Sequence, residues 1–534
     1  MREKILDVQD FKVSFYQDQG KLQVVRGIDL FLRKGEMIGI VGESGSGKSV
    51  TVSSLIKLQD ESISSIDQGS VLFEGENLVN LSEKKLASIR GKRIAYIFQN
   101  PSQALNPYKR IGKQLESVLK THRQPYSYPL ICEALKEVGI DSPDTVYNMY
   151  PFQLSGGQNQ RIMIALCILS KPDILIADEP TSSIDASLRK RILDLLIKVN
   201  KKYQMSIILI THDFDVAKYL CERIHIMFGG RIVEEGQLKD VFKKPLHPYT
   251  QELIKCASSL DLGDDNFYSL EGSPLAMDSI LKVENLSKHF IIKSSTFSKK
   301  EIIHAVKNVT FELKNGQSIG LIGESGSGKS TMANLLLKLL EPSSGKIHLF
   351  GQDITYISES EMRKHRRDIQ IIFQYTNAVL DPKMTVSELL LEPLRIHKIV
   401  EKSELDSEVD RLLTLVGLKT SEKNKFPSQL SGGQNQRVII ARAIATRAKI
   451  IICDEPVSAL DVSVQGQILN LLSKLKDELK LSYIFISHDL KVVAHMCDQI
   501  AVMYKGEFVE FGKTHDVLYH SEHDYTKKLL EAIL

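Results

Sequence analysis

The chain has 534 residues, 43% of them apolar and 25% charged, with a formal net charge of +3. This composition supplies sizeable hydrophobic cores and excludes a disordered polymer, and since one core stops growing at roughly 250–300 residues, at least two domains are expected. Lys, Arg, Asp and Glu are nearly balanced and mixed along the sequence, so no nucleic-acid partner is expected.

From the N-terminus, MREKILDVQDFKV alternates charged and apolar residues where a secretory signal would run uninterrupted. Short β-rich runs at 37–41 (MIGIV), 173–177 (DILIA) and 206–210 (SIILI), bounded by polar turns, predict buried parallel strands. A helix is predicted from SGGQNQRIMIALCILS, with Ser155 as its cap and its end before Pro172. Strand and helix alternate, so the fold class is α/β. The apolar run at 162–169 is far short of the roughly 20 residues that cross a bilayer, so any membrane role is expected to be peripheral. Cys132, Cys167, Cys221, Cys256, Cys453 and Cys497 are scattered and form no CxxC pair, as expected in a reducing compartment.

An internal repeat organises the chain. GESGSGKS occurs at 42–49 and 323–330, LSGGQNQR starts at Leu154 and Leu430, ADEP and CDEP start at Ala177 and Cys453, and THD and SHD start at Thr211 and Ser487. The last three pairs are offset by 276 residues, the glycine loops by 281 and Gln99 and Gln374 by 275, so the first copy carries six extra residues, around Asp60–Gln68. A period this long is a duplicated domain and not a solenoid repeat. The expected organisation is a first domain at 1–257, a polar connector at 258–279 and a second domain at 280–534. Residues 292–301 read as an exposed loop between strands.

A strand, the pattern GxxxxGK[ST] and a helix form a phosphate cradle, in which glycines let backbone N–H groups approach anionic oxygens and the helix N-terminus adds its dipole. The candidate ATP-binding residues are Gly42, Glu43, Ser44, Gly45, Ser46, Gly47, Lys48, Ser49 and Val50 in the first copy. In the second they are Gly323, Glu324, Ser325, Gly326, Ser327, Gly328, Lys329, Ser330 and Thr331. Lys48 and Lys329 are expected to hold β- and γ-phosphates, and the Ser49 and Ser330 hydroxyls to meet Mg²⁺. At the end of the next apolar strand, Asp178 and Asp454 are placed to bind Mg²⁺ directly or through water, and Glu179 and Glu455 to face the attacking water. LSGGQ is a second anion site opening a helix (Ser155, Gly156, Gly157, Gln158; Ser431, Gly432, Gly433, Gln434) in a domain that already has one phosphate loop, so it must serve another nucleotide.

With these motifs in this order, the chain resembles the ATP-binding cassette ATPases over nearly its whole length, twice. The resemblance implies two tandem P-loop NTPase domains, each with a mainly parallel core sheet, an antiparallel β-subdomain and a helical subdomain. It implies head-to-tail pairing within the chain, one ATP lying between loop 42–49 and Ser431–Gln434 and another between loop 323–330 and Ser155–Gln158. His212 and His488 match the family's γ-phosphate-contacting histidine, Gln99 and Gln374 its Mg²⁺- and water-sensing glutamine, and Ser182–Asp185 and Ser458–Asp461 its communication loop. Phe15 and Phe290 match the aromatic that stacks on adenine, with Tyr16 competing for the role of Phe15 and a plain core aromatic as the alternative. Ser183 stands where the communication loop usually has alanine, but both copies retain the phosphate-loop lysine, the Asp–Glu pair, the signature and the histidine, so two hydrolytic sites are expected.

IFQNPSQALNP at 97–107, HPYTQELI at 247–254, and IIFQYTNAVLDP and HDYTKKLL in the second copy resemble the oligopeptide/dipeptide/nickel importer family, as does YSLEGSPL in the connector. Some members of that family, glutathione and peptide importers among them, fuse both ATPases in one chain. The resemblance implies a peripheral subunit on the cytoplasmic face of the membrane, working with two permeases and an extracytoplasmic substrate-binding protein, and powering uptake of di- or oligopeptides or glutathione. The alternatives are a nickel-chelate importer and a ribosome-associated tandem ATPase; the short acidic connector argues against the latter, which typically has a long charged helical linker. Only Cys256 lies where many first-type ATPases of the family carry a cysteine-rich tail, so no iron–sulfur cluster is expected.

Overall fold

The apolar runs end where the backbone must change direction, and in the computed structural model each becomes one strand of a six-stranded sheet. The structure describes residues 2–17, 20–181, 186–258, 278–292, 301–373, 379–458 and 460–531. The chain divides into two compact units, Met1–Ala257 and Ser258–Ile533. Helix Pro248–Ser258 and strand Ser279–Ile292 flank the expected connector, of which 259–277 lies outside the described residues, YSLEGSPL included. The exposed loop expected at 292–301 falls between strands Ser279–Ile292 and Glu301–Lys314, with 293–300 outside the described residues.

In the first unit the central sheet runs, in spatial order, Arg231–Gln237, Arg223–Phe228, Met37–Val41, Ser206–Thr211, Ile174–Asp178, Ile94–Ile97. Its strands are parallel except the antiparallel edge Arg231–Gln237. Met37–Val41, Ile174–Asp178 and Ser206–Thr211 are buried along their whole length, which is why they read as continuous apolar runs and not as alternation. A second sheet, antiparallel throughout, joins Gly20–Arg33, Lys4–Gln17, Ser64–Phe73 and Glu76–Asn77. Helices Ile111–Thr121, Tyr128–Glu137, Pro143–Asn148 and Gly156–Ile168 pack as a third layer around Leu115, Leu119, Ile131, Leu135 and Ile162.

The second unit repeats this plan. Its central sheet is ordered Ile369–Ile372, Ile450–Asp454, Ser482–Ile486, Ser318–Ile322, Gln499–Tyr504, Glu507–Lys513, and its antiparallel sheet Glu301–Lys314, Ser279–Ile292, Ser344–Leu349, Gln352–Asp353. The six-residue insertion of the first copy lengthens a strand. Ser64–Phe73 has ten residues where Ser344–Leu349 has six, and the added length pairs Ser64 to Gln68 with Phe15 to Lys12. Asp60 closes the turn into it, its carboxylate accepting from the Ser62 N–H at 2.8 Å and its carbonyl from the Ser64 hydroxyl at 2.8 Å.

Candidate functional site

Each glycine loop leaves its strand pressed against a neighbouring backbone. A Cβ on Gly42 would stand 2.2 Å from the Met227 carbonyl oxygen, and one on Gly323 2.2 Å from that of Met503, so no larger residue fits. Gly47 (φ 101°) and Gly328 (φ 113°) take the left-handed conformation and cap helices Lys48–Leu55 and Lys329–Leu336. Both lysines are buried. Lys48 Nζ donates to the carbonyls of Gly42 and Glu43 at 2.7 Å each, and Lys329 Nζ to those of Gly323 and Glu324 at 2.7 and 2.9 Å. The Ser46 and Ser327 hydroxyls are buried without a hydrogen-bond partner among the described residues, and a Cβ on Gly45 or Gly326 would meet nothing within 4 Å. A buried ammonium, a helix N-terminus and an open glycine face make a concave cationic cradle that fits a polyphosphate.

The carboxylates stand beside this cradle. Ser49 Oγ donates to Asp178 Oδ1 at 3.0 Å and the Tyr96 hydroxyl to Asp178 Oδ2 at 2.7 Å, while in the second unit the Ser330 hydroxyl is near enough to Asp454 to oppose the effect of burial on its carboxyl. Burial raises both aspartate carboxyls above their usual range. The donor set of a hydroxyl and a carboxylate at the loop is all oxygen, as Mg²⁺ requires.

Glu179 and Glu455 follow in left-handed backbone, φ 45° and 49°, a conformation uncommon for a side chain with a Cβ. Their N–H groups are tied to the carbonyls of Ile210 and Ile486 at 2.9 Å each, which holds the turn. His212 Nδ1 lies 3.0 Å from Glu179 Oε1, and Gln99 Nε2 donates to Glu179 Oε2 at 2.8 Å; His488 Nδ1 lies 3.0 Å from Glu455 Oε1. Burial pushes both glutamates up, but the histidine hydrogen bond and charge, together with Lys48 or Lys329, outweigh it and hold each below the ordinary carboxylate range. His212 is presented by a cap in which Asp213 accepts from the N–H groups of Asp215 and Val216 and from Arg189 at 3.0 Å.

The signature residues Ser155–Gln158 and Ser431–Gln434 open helices Gly156–Ile168 and Gly432–Ala445 through reciprocal capping boxes, with Ser155, Gly156, Ser431 and Gly432 exposed. At Gly157 and Gly433 a Cβ would stand 1.8 Å from Leu188 Cδ2 and 2.6 Å from Val464 Cγ1, so those side chains would have to shift to admit a larger residue. Phe15 is half-buried against the first unit's β-subdomain core, and Tyr16, on the opposite face of the strand, is exposed beneath Lys21. Phe290 is more open, with Lys288 Nζ 5.3 Å from its ring centroid. Gln374, residues 182–185 and Ala459 lie outside the described residues, as does the side chain of Cys256.

Two contributors escaped the sequence reading. The Tyr249 hydroxyl accepts from the Glu43 N–H at 3.1 Å and the Tyr525 hydroxyl from the Glu324 N–H at 2.9 Å, so HPYT and HDYT place a phenol on each phosphate loop. The motif's histidine caps the same helix, accepting from the tyrosine N–H at 3.2 Å (His247) and 3.1 Å (His523). The signal was in the motif, but nothing local says which loop the ring reaches. The other contributor is Tyr96, one strand away from Asp178.

A strand–glycine loop–helix cradle with a buried lysine, beside an Asp–Glu pair at the end of a parallel strand, defines each unit as a P-loop nucleoside triphosphatase. The chain matches the ABC transporter family over residues 25–182 and 306–458 and the C-terminal region of oligopeptide/dipeptide transporters over 233–283 and 509–534. It is 39% identical to the glutathione import ATP-binding protein GsiA of Salmonella choleraesuis strain SC-B67 and 38% identical to GsiA of Escherichia coli K12, in each case over 99% of this chain and 89% of the relative. A solved cassette dimer bound to ADP and Pi is 32% identical over 44% of this chain and 98% of its own, with a TM-score of 0.40. The protein belongs to the ABC transporter family and is an ATP-binding, ATP-hydrolysing subunit of it. Among the described residues no helix is long and apolar enough to cross a membrane.

Proposed function

We propose that this chain energises uptake of di- or oligopeptides or glutathione across the cytoplasmic membrane, as a peripheral subunit on its cytoplasmic face. It would serve two permease subunits that receive cargo from an extracytoplasmic binding protein. The observation that carries this reading is the duplication, within one chain, of a complete phosphate loop and Asp–Glu–His set, each followed by the oligopeptide-transporter C-terminal segment. The GsiA relatives, matched over nearly the whole chain, favour glutathione among the cargoes.

In this reading the organisation is a cassette at 1–257, a connector at 258–279 and a cassette at 280–534, paired head to tail so that Ser155–Gln158 serves the ATP on loop 323–330 and Ser431–Gln434 the ATP on loop 42–49. Lys48 and Lys329 neutralise phosphate charge. Ser49, Asp178 and Gln99, with Ser330, Asp454 and Gln374, are the residues that would hold Mg²⁺, which when bound offsets charge on the β- and γ-phosphate oxygens. Glu179 and Glu455 polarise the attacking water, with His212 and His488 fixing the carboxylates, and Phe15 and Phe290 support adenine. Closure on two ATP molecules and reopening after hydrolysis would drive the permeases.

The test is co-expression with the neighbouring permease genes, reconstitution in liposomes and uptake of labelled glutathione, dipeptides and nickel chelate. ATP-dependent accumulation of glutathione or peptide is expected, and co-purification with ribosomes in place of permeases would overturn the assignment. Pairing is tested by Ser155→Arg, which should impair nucleotide trapping at the site of Lys329 and spare that of Lys48.

A further inference from the structure

The two units differ beside the loop aspartate. Ile94–Ile97 and Ile369–Ile372 are corresponding strands, Tyr96 opposite Ile176 and Ile371 opposite Ile452, each two residues before Asp178 or Asp454. In the first unit the Tyr96 hydroxyl donates to Asp178 Oδ2 at 2.7 Å while Ser49 Oγ donates to Oδ1 at 3.0 Å, so each carboxylate oxygen has its own hydroxyl donor. The Tyr96 ring is itself held, with its centroid 4.7 Å from that of Phe98. In the second unit the counterpart is Ile371, whose side chain has no hydrogen-bonding group, and the hydroxyl near Asp454 is that of Ser330, which opposes the effect of burial on its carboxyl.

We propose that Tyr96 is a positioning residue that preorients the Asp178 carboxylate for the divalent cation bound with ATP, so that the site containing Lys48 holds its metal more tightly than the site containing Lys329. The inference rests on the ATPase reading above. A carboxylate that ligates a metal is tuned by the groups bonded to its other oxygen, and deleting such a partner typically lowers metal affinity by about 10- to 100-fold. The Tyr96 hydroxyl takes no part in the phosphate cradle. Its effect therefore falls on metal dependence and not on metal-free nucleotide binding. The two sites, each carrying the same phosphate loop and Asp–Glu pair, then fill with metal at different concentrations.

The experiment uses the full chain in two backgrounds, Lys329→Ala to isolate the first site and Lys48→Ala to isolate the second. Free Mn²⁺ is followed by electron paramagnetic resonance during titration in the presence of ATP, and ATP binding is measured separately in EDTA. In the Lys329→Ala background, Tyr96→Phe should raise the Mn²⁺ midpoint by about tenfold or more, with ATP binding in EDTA unchanged. In the Lys48→Ala background, Ile371→Tyr should lower the midpoint. An unchanged Mn²⁺ midpoint for a folded Tyr96→Phe protein, or equal midpoints for the two unmodified sites, would overturn the proposal. Absence of any ATP-dependent Mn²⁺ binding in either background would instead overturn the ATPase site assignment itself.

Discussion

Replacing Glu179 and Glu455 together by glutamine isolates the chemical step from binding. The carboxylate of Glu179 stands in a fixed frame, with His212 Nδ1 at 3.0 Å, Gln99 Nε2 at 2.8 Å and its own N–H held by Ile210. Glutamine keeps the shape, and its amide oxygen can still accept one of these bonds. What it loses is the charge that His212, Lys48 and Gln99 maintain below the usual carboxylate range. Removing a general base typically costs about 10²- to 10⁴-fold in rate, or roughly 3 to 5 kcal/mol of barrier at ~1.4 kcal/mol per decade. The loss of a charge-assisted bond and the relief of burying a charge oppose each other, so the fold survives. Lys48, Ser49 and the loop amides are untouched, so ATP still binds. The double variant should retain ATP in a filter-binding assay while steady-state phosphate release falls by at least about a hundredfold. Release within threefold of the unmodified protein, with ATP bound, would refute the assignment of the base.

Three further outcomes follow from individual contacts. Tyr249→Phe with Tyr525→Phe removes the acceptor of the Glu43 and Glu324 N–H groups; at about 0.5–1.5 kcal/mol per bond, the ATP concentration for half-maximal turnover should rise by up to about tenfold with kcat little changed, measured by steady-state kinetics. Gly42→Ala forces a Cβ to 2.2 Å from the Met227 carbonyl oxygen; urea denaturation should register a loss of about 1–3 kcal/mol, with nucleotide binding at that loop abolished. Glu116→Gln disturbs a buried carboxylate held below its ordinary value of 4.5 by the Tyr147 hydrogen bond, against burial, and by Lys113 and Lys120. Because the folded-state value is depressed, its contribution is fully present above pH 4.5 and fades as pH falls through the lower folded value. The variant should therefore be less stable by about 1–3 kcal/mol at neutral pH and converge on the unmodified protein in acid, as read by denaturation at each pH.

Much of the fold was legible because buried parallel strands leave long apolar runs: MIGIV became Met37–Val41, and Ser155 caps the helix that its sequence announces. The insertion near Asp60–Gln68 was countable but not interpretable, since its polar residues (SSIDQ) become strand only through pairing with Lys12–Phe15. Phe15 and Tyr16 could not be separated by reading, because they are neighbours on one strand and only the sheet decides which face turns to the core. Tyr249 was visible as a motif without a target, as its partner Glu43 lies 206 residues away.

The order of strands, loops and caps, and the residue types that suit phosphate and metal chemistry, were set by local pattern: periodicity, glycine spacing and capping act over a few residues and recur in the second copy, 281 positions on for the glycine loops and 276 for the signature. Which oxygen each side chain meets was decided only in three dimensions. Tyr96 reaches Asp178 across 82 residues and Gln99 reaches Glu179 across 80, because parallel pairing sets Ile94–Ile97 alongside Ile174–Asp178 and brings their C-terminal ends to one edge of the sheet. Hydrogen bonds depend on distances of a few tenths of an ångström, and those are fixed by packing that no single segment encodes.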